Sequence, residues 1–228
     1  MSEQDRALGV SILCDELDVS EECIERLKRF EELLVKWQSA QNLVSRETIE
    51  SIWLRHICDS ARLSLIVEKP ARWLDLGSGA GLPGLITAIL QSDGADNGRE
   101  AYVYLVESNT RKASFLRSVI RELGLAVEVF NERIEQAVQR EGLSVSYISA
   151  RALASLDDLL AFSKHQTDLG ARCFFHKGRD IDAEIEEATN NWDFNLVKHS
   201  VWASKKAPSD GIILEVSNIS RKVFNGER

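Results

Sequence analysis

The sequence has no apolar run that approaches the roughly 20 residues needed to cross a bilayer. Its first residues are charged and lack the apolar core of a signal peptide. Cysteine is scarce: the four cysteines are scattered, without the spacing of a metal site. These absences argue against membrane-spanning and secreted classes and predict buried free thiols in a reducing compartment. We expect a cytoplasmic protein with no membrane association and no metal.

Positive charge is also in deficit. The formal net charge is −8 and the sequence pI is near 5.2, which argues against avid, non-specific nucleic-acid binding. Local basic clusters remain, and each one alone is more typical of a solvated face. An RNA substrate is not excluded, because binding depends on a local patch rather than on the total. The clusters are Arg111, Lys112, Arg117 and Arg121, then Lys205-Lys206, then Arg221-Lys222.

A glycine-rich stretch, Trp73 to Gly84, organises the 228-residue chain. It predicts a buried strand over Arg72–Leu76, a tight turn, and a helix over residues 82–91. Glycines allow positive φ and close approach of a ligand, and a helix N-terminus after the turn offers free N–H groups. The stretch therefore predicts a cradle for a cofactor, although a purely structural turn is the simpler alternative.

Two cofactors fit this cradle. Gly-x-Gly-x-x-Gly from Gly79 to Gly84 formally matches the dinucleotide fingerprint. Asp-x-Gly-x-Gly-x-Gly from Asp75 to Gly81, followed by Glu107 at the end of the next strand, is typical of methyltransferases that use S-adenosylmethionine. An anion just before the turn would repel a pyrophosphate and suits a cationic ligand, so Asp75 favours the methyl donor.

Strand and helix alternate after this point, which predicts an α/β fold with a doubly wound, mainly parallel, seven-stranded Rossmann-like sheet. The last strand is expected to insert antiparallel. We expect an N-terminal helical appendage over residues 1–70, with a third helix from about Glu47 to Val67, and a methyltransferase domain over residues 71–228. The predicted strands are Arg72–Leu76, Tyr102–Val106, Val127–Phe130, Tyr147–Ala150, Cys173–His176, Phe194–Ser200 and Gly211–Ser217. The later helices are predicted near 110–122, 133–140, 156–169 and 179–190.

Ligands of open α/β sheets bind beyond the carboxyl ends of the strands, so the residues there are the site candidates. Glu107 can accept the ribose hydroxyls of a nucleoside. Ile134 and Glu135 follow the third strand, where methyltransferases usually contact adenine. Arg151 and Lys177 follow the fourth and fifth strands and would face the methyl group and its acceptor. Together with the cradle, the predicted cofactor contacts are Asp75, Gly77, Ser78, Gly79, Gly81, Leu82, Glu107, Ile134, Glu135 and Arg151.

Three catalytic motifs are missing. No Asn/Asp-Pro-Pro-Tyr/Phe follows the fourth strand, which argues against amine methylation by that arrangement. No Pro-Cys pair exists, which argues against covalent activation of a pyrimidine C5. No nucleophile elbow supports a Ser-His-Asp hydrolase. A methyl acceptor that is already nucleophilic remains, and guanine N7 fits because its lone pair needs no general base.

With these residues considered, the chain resembles the bacterial RsmG family, also called glucose-inhibited division protein B, whose members methylate guanine N7 in 16S ribosomal RNA. The resemblance rests on Asn42-Leu-Val, His56-Ile-Cys-Asp-Ser60, Asp75 to Gly84, Arg111-Lys-Ala-Ser-Phe-Leu116, Ser149-Ala-Arg-Ala-Leu-Ala-Ser155 and His176-Lys177-Gly178. It implies cofactor contacts at Gly77, Leu82, Ile134, Glu135 and Arg151. Members of the family usually have an acidic residue after the second strand, and Glu107 occupies that position here.

The resemblance also implies roles on the acceptor side. It implies direct methyl transfer to 16S rRNA. From the acidic total charge we expect the substrate to be a shaped ribonucleoprotein, the small ribosomal subunit or a precursor, and we expect the protein to be a monomer. Arg151 and Lys177 are the candidates for positioning the acceptor, and Arg151 serves equally well to orient the cofactor carboxylate. The C-terminal Trp192, Trp202 and Lys205-Lys206 could contact single-stranded RNA, although core tryptophans are the simpler interpretation. A methyltransferase of a small molecule or protein, and a non-catalytic nucleotide- or RNA-binding module, are the alternatives.

Overall fold

The fold was analysed in a computed structural model that describes residues 2–68, 70–93, 101–178, 181–200 and 211–223. The predictions for Trp202 and for Lys205-Lys206 fall outside these residues. The rest of the predicted elements can be compared with the structure directly.

The centre of the fold is a seven-stranded sheet in the order β3-β2-β1-β4-β5-β7-β6. Strands β1 to β5 pair in parallel, and β7 runs antiparallel between β5 and β6. This arrangement confirms the predicted fold class, including the antiparallel insertion of the last strand. The strands are β1 Arg72–Leu76, β2 Tyr102–Val106, β3 Val127–Phe130, β4 Tyr147–Arg151, β5 Arg172–Lys177, β6 Trp192–His199 and β7 Ile212–Arg221.

Helices connect the strands as the alternating pattern predicts. The sixth is a single turn, shorter than the predicted 133–140. Asn109 caps the fifth helix through hydrogen bonds from the Arg111 and Lys112 amides, and Gly124 ends it in the left-handed conformation. The helices are α1 Glu3–Leu17, α2 Glu21–Gln38, α3 Asp59–Ala61, α4 Gly84–Gln91, α5 Thr110–Leu123, α6 Ile134–Ala137, α7 Leu156–Asp168 and α8 Asp182–Asn191.

The predicted helix from Glu47 to Val67 is not a regular α-helix. It is a run of changing pitch: a 3-10 turn at Ile49–Ser51, a π-helix at Trp53–Cys58, the short α3, and a 3-10 turn at Arg62–Leu65. We call this run, residues 49–65, the bridging segment. A π-helix is rare and often lies at functional sites, because its wider turn changes where side chains point.

Carboxylates from the first two helices hold the bridging segment. The Asp5 carboxylate accepts hydrogen bonds from the amides of Trp53, at 2.9 Å, and Leu54, at 3.3 Å. Glu31 accepts a hydrogen bond of 2.8 Å from the indole of Trp53 and pairs with Arg6. These contacts satisfy N–H groups that have no helical partner at the start of a helix.

One apolar cluster runs from α1 and α2 through the bridging segment to one face of the sheet. It includes Leu13, Phe30, Trp53 and Trp73, all essentially inaccessible to solvent. Burial of this apolar surface fixes the N-terminal helices against the sheet. The domain boundary near residue 70 stays a prediction. Within the described part of the chain, no helix has the length and apolar character needed to cross a membrane.

Candidate functional site

The glycine loop follows β1 and turns tightly before α4. Gly77, Gly79 and Gly81 all have φ between +54° and +80°. A Cβ on Gly77 would collide with the Leu153 side chain, whereas a Cβ on Gly79 would meet nothing nearer than the Gly77 carbonyl oxygen at 3.8 Å. Gly79 therefore presents open backbone toward the space above the loop, as a ligand cradle requires.

Asp75 is fully buried beneath this loop. One carboxylate oxygen accepts a hydrogen bond of 2.7 Å from the hydroxyl of Ser149, its register partner on β4. The other oxygen lies against Gly84 and has no hydrogen-bond partner among the described residues. Burial raises the pKa of Asp75 to about 6, although the Ser149 hydrogen bond acts in the opposite direction. Asp75 thus supports the loop from below, and direct cofactor binding by it stays a prediction.

Glu107, just after β2, joins the glycine loop to the start of α5. Its two carboxylate oxygens accept hydrogen bonds from the Gly79 amide, at 2.9 Å, and from the Asn109 amide, at 2.7 Å. Ser78 adds a backbone hydrogen bond of 2.9 Å to the Val106 carbonyl. Each carboxylate oxygen can accept a second hydrogen bond, so Glu107 keeps capacity for a ligand hydroxyl.

Two cavities lie along the carboxyl ends of the strands. The smaller, about 310 Å³, is walled by residues 77–80 of the glycine loop, residues 43–45, Thr48, Leu82 and Lys112. The larger, about 460 Å³, is walled by the ends of β4 and β5 and by Asp59 and Arg62. Arg151 and Ala152 line both cavities. The two spaces therefore adjoin at the end of β4.

Ala152 holds an unusual backbone conformation at this junction. Its φ is +50°, in the left-handed region that a residue with a Cβ rarely occupies. Such conformations persist where the surrounding structure determines them, and they occur often at functional sites. At this turn the half-buried Arg151 is followed directly by the exposed Ala152.

The guanidinium of Arg151 is held by the bridging segment. Its Nη2 donates to the Arg55 carbonyl oxygen at 2.6 Å and lies 3.0 Å from His56 Nδ1. Its Nε is 3.5 Å from an Asp59 carboxylate oxygen. Among the described residues, Nη1 makes only a long contact of 3.4 Å to the Ser60 hydroxyl, which leaves one N–H of Nη1 with no hydrogen-bond partner there. That edge of the guanidinium is available to a ligand in the cavities.

A charged cluster forms one wall of the larger cavity. Asp59 accepts a hydrogen bond of 2.9 Å from the buried Arg62, and its carbonyl oxygen lies 3.1 Å from His176 Nε2. Burial alone would raise the pKa of Asp59, but the charges of Arg151 and Arg62, the Arg62 hydrogen bond and, once it is protonated, His176 hold that pKa below its ordinary value. The bridging segment is thereby joined to β4 and β5.

Lys177 also lines the larger cavity, at the end of β5. Its ammonium group donates to the Ala154 carbonyl oxygen at 2.7 Å and pairs with Glu184 at 2.6 Å. The same Glu184 accepts the Leu156 amide at the start of α7. In this arrangement Lys177 fixes the loop after β4, and contact with an acceptor stays a prediction.

The other predicted site residues fall into two groups. Gly77, Ser78, Gly79 and Leu82 line the smaller cavity, as the prediction requires. Glu107, Ile134 and Glu135 are not among the residues that line either cavity. Ile134 packs on the apolar core, and the exposed Glu135 lies 3.9 Å from Arg133. Adenine contacts by Ile134 and Glu135 stay predictions.

Sequence reasoning missed Arg62, Thr48 and the role of Ser149. Arg62 stands three residues after Asp59, a spacing that places both side chains on one helical face and could have indicated the pair. The contact between Ser149 and Asp75 could have been predicted, because β1 and β4 are expected to be neighbours in a sheet of this kind. Thr48 contacts His56 Nε2 at 2.9 Å from an irregular turn, and nothing in the local pattern indicates this.

Comparison with known proteins identifies close sequence relatives. A family model described as "GidB: rRNA small subunit methyltransferase G" matches residues 23–213. A ribosomal RNA small subunit methyltransferase G of Rhizobium leguminosarum bv. trifolii is 44% identical over 209 residues, covering 91% of this chain and 98% of the relative. The protein of the same name from Rhizobium meliloti is 44% identical over 209 residues, covering 90% and 94%.

Solved structures agree with the fold. A ribosomal protein L11 methylase from Lactobacillus delbrueckii subsp. bulgaricus superposes with a TM-score of 0.50 at 19% identity, covering 72% of this chain and 77% of that one. A mutant of MtNAS in complex with S-adenosylmethionine gives a TM-score of 0.51 at 18% identity, covering 84% and 74%. At these identities the likeness concerns the fold alone.

Proposed function

Because the chain belongs to the rRNA small subunit methyltransferase G family, we propose that it transfers a methyl group from S-adenosylmethionine to N7 of a guanine in 16S ribosomal RNA. Of the two cofactors that the glycine loop could hold, we thus favour S-adenosylmethionine over a dinucleotide. A ribosomal substrate also places the proposed reaction in the cytoplasm.

The observation that carries this proposal is the shared wall of the two cavities. The smaller cavity borders the glycine loop, with open space at Gly79 and the Glu107 carboxylate fixed behind it. The larger cavity borders the ends of β4 and β5. A donor above the loop and an acceptor in the larger cavity would meet beside Arg151 and Ala152, which line both spaces.

The residues present fit S-adenosylmethionine. When bound, this donor supplies a methyl group made electrophilic by the adjacent sulfonium. The loop backbone at Gly79 accommodates it closely, because no Cβ intervenes there. Glu107 can accept ribose hydroxyls with its remaining lone pairs. Asp75 holds the loop through Ser149 and contributes negative charge near a cationic ligand.

The acceptor side needs positioning rather than a base. Guanine N7 carries a free lone pair, so the contribution of the protein to the rate is orientation and exclusion of water. The free N–H of Arg151 Nη1 can bind guanine O6, which neighbours N7, or an anionic group of the donor. The base must be unstacked to reach the larger cavity.

The decisive experiment combines purified protein, tritiated S-adenosylmethionine and 30S particles from cells that lack such an enzyme, followed by nucleoside analysis. We expect label in 7-methylguanosine. An Arg151→Ala variant that still binds the donor but transfers methyl about 100-fold more slowly would assign Arg151 to the acceptor side. Arg133→Ala is the matched control, because Arg133 is exposed and lines neither cavity.

Two results would overturn the proposal. Donor binding without label in RNA would indicate a methyltransferase of a small molecule or a protein. Failure to bind the donor at all would indicate a nucleotide- or RNA-binding module without catalysis.

We also propose that the substrate is a folded ribonucleoprotein particle and that the protein acts as a monomer. The net charge of −8 weakens binding to bare RNA, so shape must contribute to recognition. Equal activity on a short bare oligonucleotide would contradict the first statement. A dimer in light scattering at working concentration would contradict the second.

A further inference from the structure

We infer that the Thr48–His56 pair is a positioning device for Arg151: Thr48 fixes His56 in one neutral tautomer, and His56 then orients the guanidinium at the junction of the cavities. This inference rests on the proposed function for its catalytic consequence. Its structural basis is a chain of hydrogen bonds with a defined direction.

The direction follows from the arginine end of the chain, because Arg151 Nη2 can only donate. His56 Nδ1, 3.0 Å away, must therefore accept. A neutral ring then carries its proton on Nε2 and donates it to Thr48 Oγ1 at 2.9 Å. The hydroxyl proton of Thr48 is left for Ser45, whose carbonyl oxygen lies 3.1 Å and whose hydroxyl oxygen lies 2.9 Å from Thr48 Oγ1.

The other ring nitrogen completes the argument. With Nε2 protonated and the ring neutral, Nδ1 is an acceptor, and it faces Arg151 Nη2 at 3.0 Å. The second N–H of Nη2 goes to the Arg55 carbonyl oxygen at 2.6 Å. Both N–H bonds of Nη2 are then satisfied, and the free edge of the guanidinium is Nη1. The opposite tautomer would set a ring N–H against an arginine N–H and displace the guanidinium.

The charges around His56 support a neutral ring. Burial and the charges of Arg151 and Arg55 together lower the pKa of His56 to about 4, while Asp59 acts in the opposite direction. These are the charged groups that face the ring from β4 and from the bridging segment. Protonation would bring a second cation against Arg151, so the device works with a neutral imidazole.

The first arm of the test measures the tautomer by ¹⁵N NMR of the imidazole rings, with His56→Asn used for assignment. The expected result in wild type at pH 7 is protonated Nε2 and unprotonated Nδ1. In Thr48→Val, which removes the acceptor and keeps the size, the ring should become a mixture of tautomers. In Thr48→Ser, which restores the hydroxyl, the wild-type tautomer should return.

The second arm measures kcat and the donor Kd with 30S particles. We expect kcat to fall about 10- to 100-fold in Thr48→Val and in His56→Leu, since small displacements of a positioning group have effects of this size. Thr48 and His56 line the cavity proposed for the donor, so the donor Kd is measured in the same variants, and the loss in kcat should exceed the change in Kd. Thr48→Ser and His56→Asn, which keeps an acceptor near the Nδ1 position, should recover most of kcat. His165→Gln, on α7 and away from both cavities, is the matched control.

Three outcomes overturn the inference. The first is a proton on Nδ1 in the wild type. The second is an equal loss of kcat in Thr48→Val and Thr48→Ser, and the third is no loss of kcat in His56→Leu. The NMR arm needs no RNA, so it tests the hydrogen-bond chain even where the wild type fails to methylate 16S rRNA. Failure of the proposed function is thereby distinguished from failure of this inference.

Discussion

The Glu107 carboxylate accepts a hydrogen bond of 2.9 Å from the backbone amide of Gly79, 28 residues earlier in the chain. The acid that ends β2 therefore holds the glycine loop that ends β1. Its second oxygen accepts from Asn109 at 2.7 Å, so one side chain orders the loop and the start of α5 together. An acid in this position has a structural role in the free protein in addition to any contact with a ligand.

Replacement of Glu107 should therefore weaken both the loop and the binding of the donor. Glu107→Ala leaves two amides without their acceptor, and we expect it to lower the free energy of unfolding by about 1–3 kcal/mol. Glu107→Gln keeps one acceptor and should lose less stability. Both should weaken S-adenosylmethionine binding at least about tenfold in calorimetry, since a bidentate acceptor is lost. Glu128→Gln, exposed on β3, is the control, and equal effects there would contradict the prediction.

Gly77 offers a test of the close approach within the loop. Gly77→Ala combines a φ of +63° with a collision against Leu153, so we expect a loss of about 2–4 kcal/mol in unfolding free energy. Gly142→Ala has a similar φ of +75° and open space around the Cβ, so it measures the backbone strain alone. Its cost should be about 1 kcal/mol. Urea unfolding of the two variants would contradict the prediction if their midpoints coincided.

Most of the sheet could be predicted from the sequence because its signals are local. The bounds of β1, β2 and β3 coincide with the prediction, since each is a short stretch rich in β-branched, aromatic or aliphatic residues. The antiparallel orientation of β7 follows from the order of strands and helices along the chain, which matches a known fold class, and the structure confirms it.

The bridging segment could not be predicted in the same way. Apolar residues at helical spacing indicate one α-helix, but the amides of Trp53 and Leu54 bond to Asp5, and Arg55 and His56 bond to Arg151. The irregular helical pitch of residues 49–65 thus occurs where distant parts of the chain contact the segment. Periodicity contains no information about such contacts, and for the same reason the Thr48–His56 pair was missed.

Two buried histidines should make the protein sensitive to acid. Burial and the field of Arg151 lower the pKa of both His56 and His176 to about 4, although Asp59 opposes the shift. The unfolded chain, with a histidine pKa near 6.5, then binds more protons than the folded one between pH 6.5 and 4. Stability is therefore complete above pH 6.5 and falls as the pH drops toward 4, by on the order of 3 kcal/mol per histidine.

This acid effect is measured by urea unfolding at several pH values and by NMR titration of the two rings. Asp75 acts with the opposite sign: its pKa is raised to about 6, so its contribution is present below pH 3.8 and falls as the pH rises through 6. The difference between wild type and His56→Asn isolates the histidine. If either ring titrates near pH 6.5 in the folded protein, the prediction is wrong for that ring.

The Asp5 carboxylate, 48 residues before Trp53, should control the order of the bridging segment. Asp5→Ala removes the acceptor of two amides at the start of the π-helix, and we expect a loss of about 1–3 kcal/mol in unfolding free energy. Amide hydrogen exchange at Trp53 and Leu54 should accelerate, because these N–H groups open to water. Asp5→Asn keeps one acceptor oxygen and should fall between wild type and Asp5→Ala.

The control for Asp5 is Asp15→Ala on the same helix, where the side chain is exposed and the change should stay within about 0.5 kcal/mol. Methyl transfer should also slow in Asp5→Ala, since His56 and Asp59 lie on the segment that Asp5 anchors and both contact Arg151. Unchanged exchange at Trp53 and Leu54 in Asp5→Ala would mean that the apolar packing of Trp53 alone holds the segment. Faster exchange with unchanged kcat would instead separate the order of the segment from the positioning of Arg151.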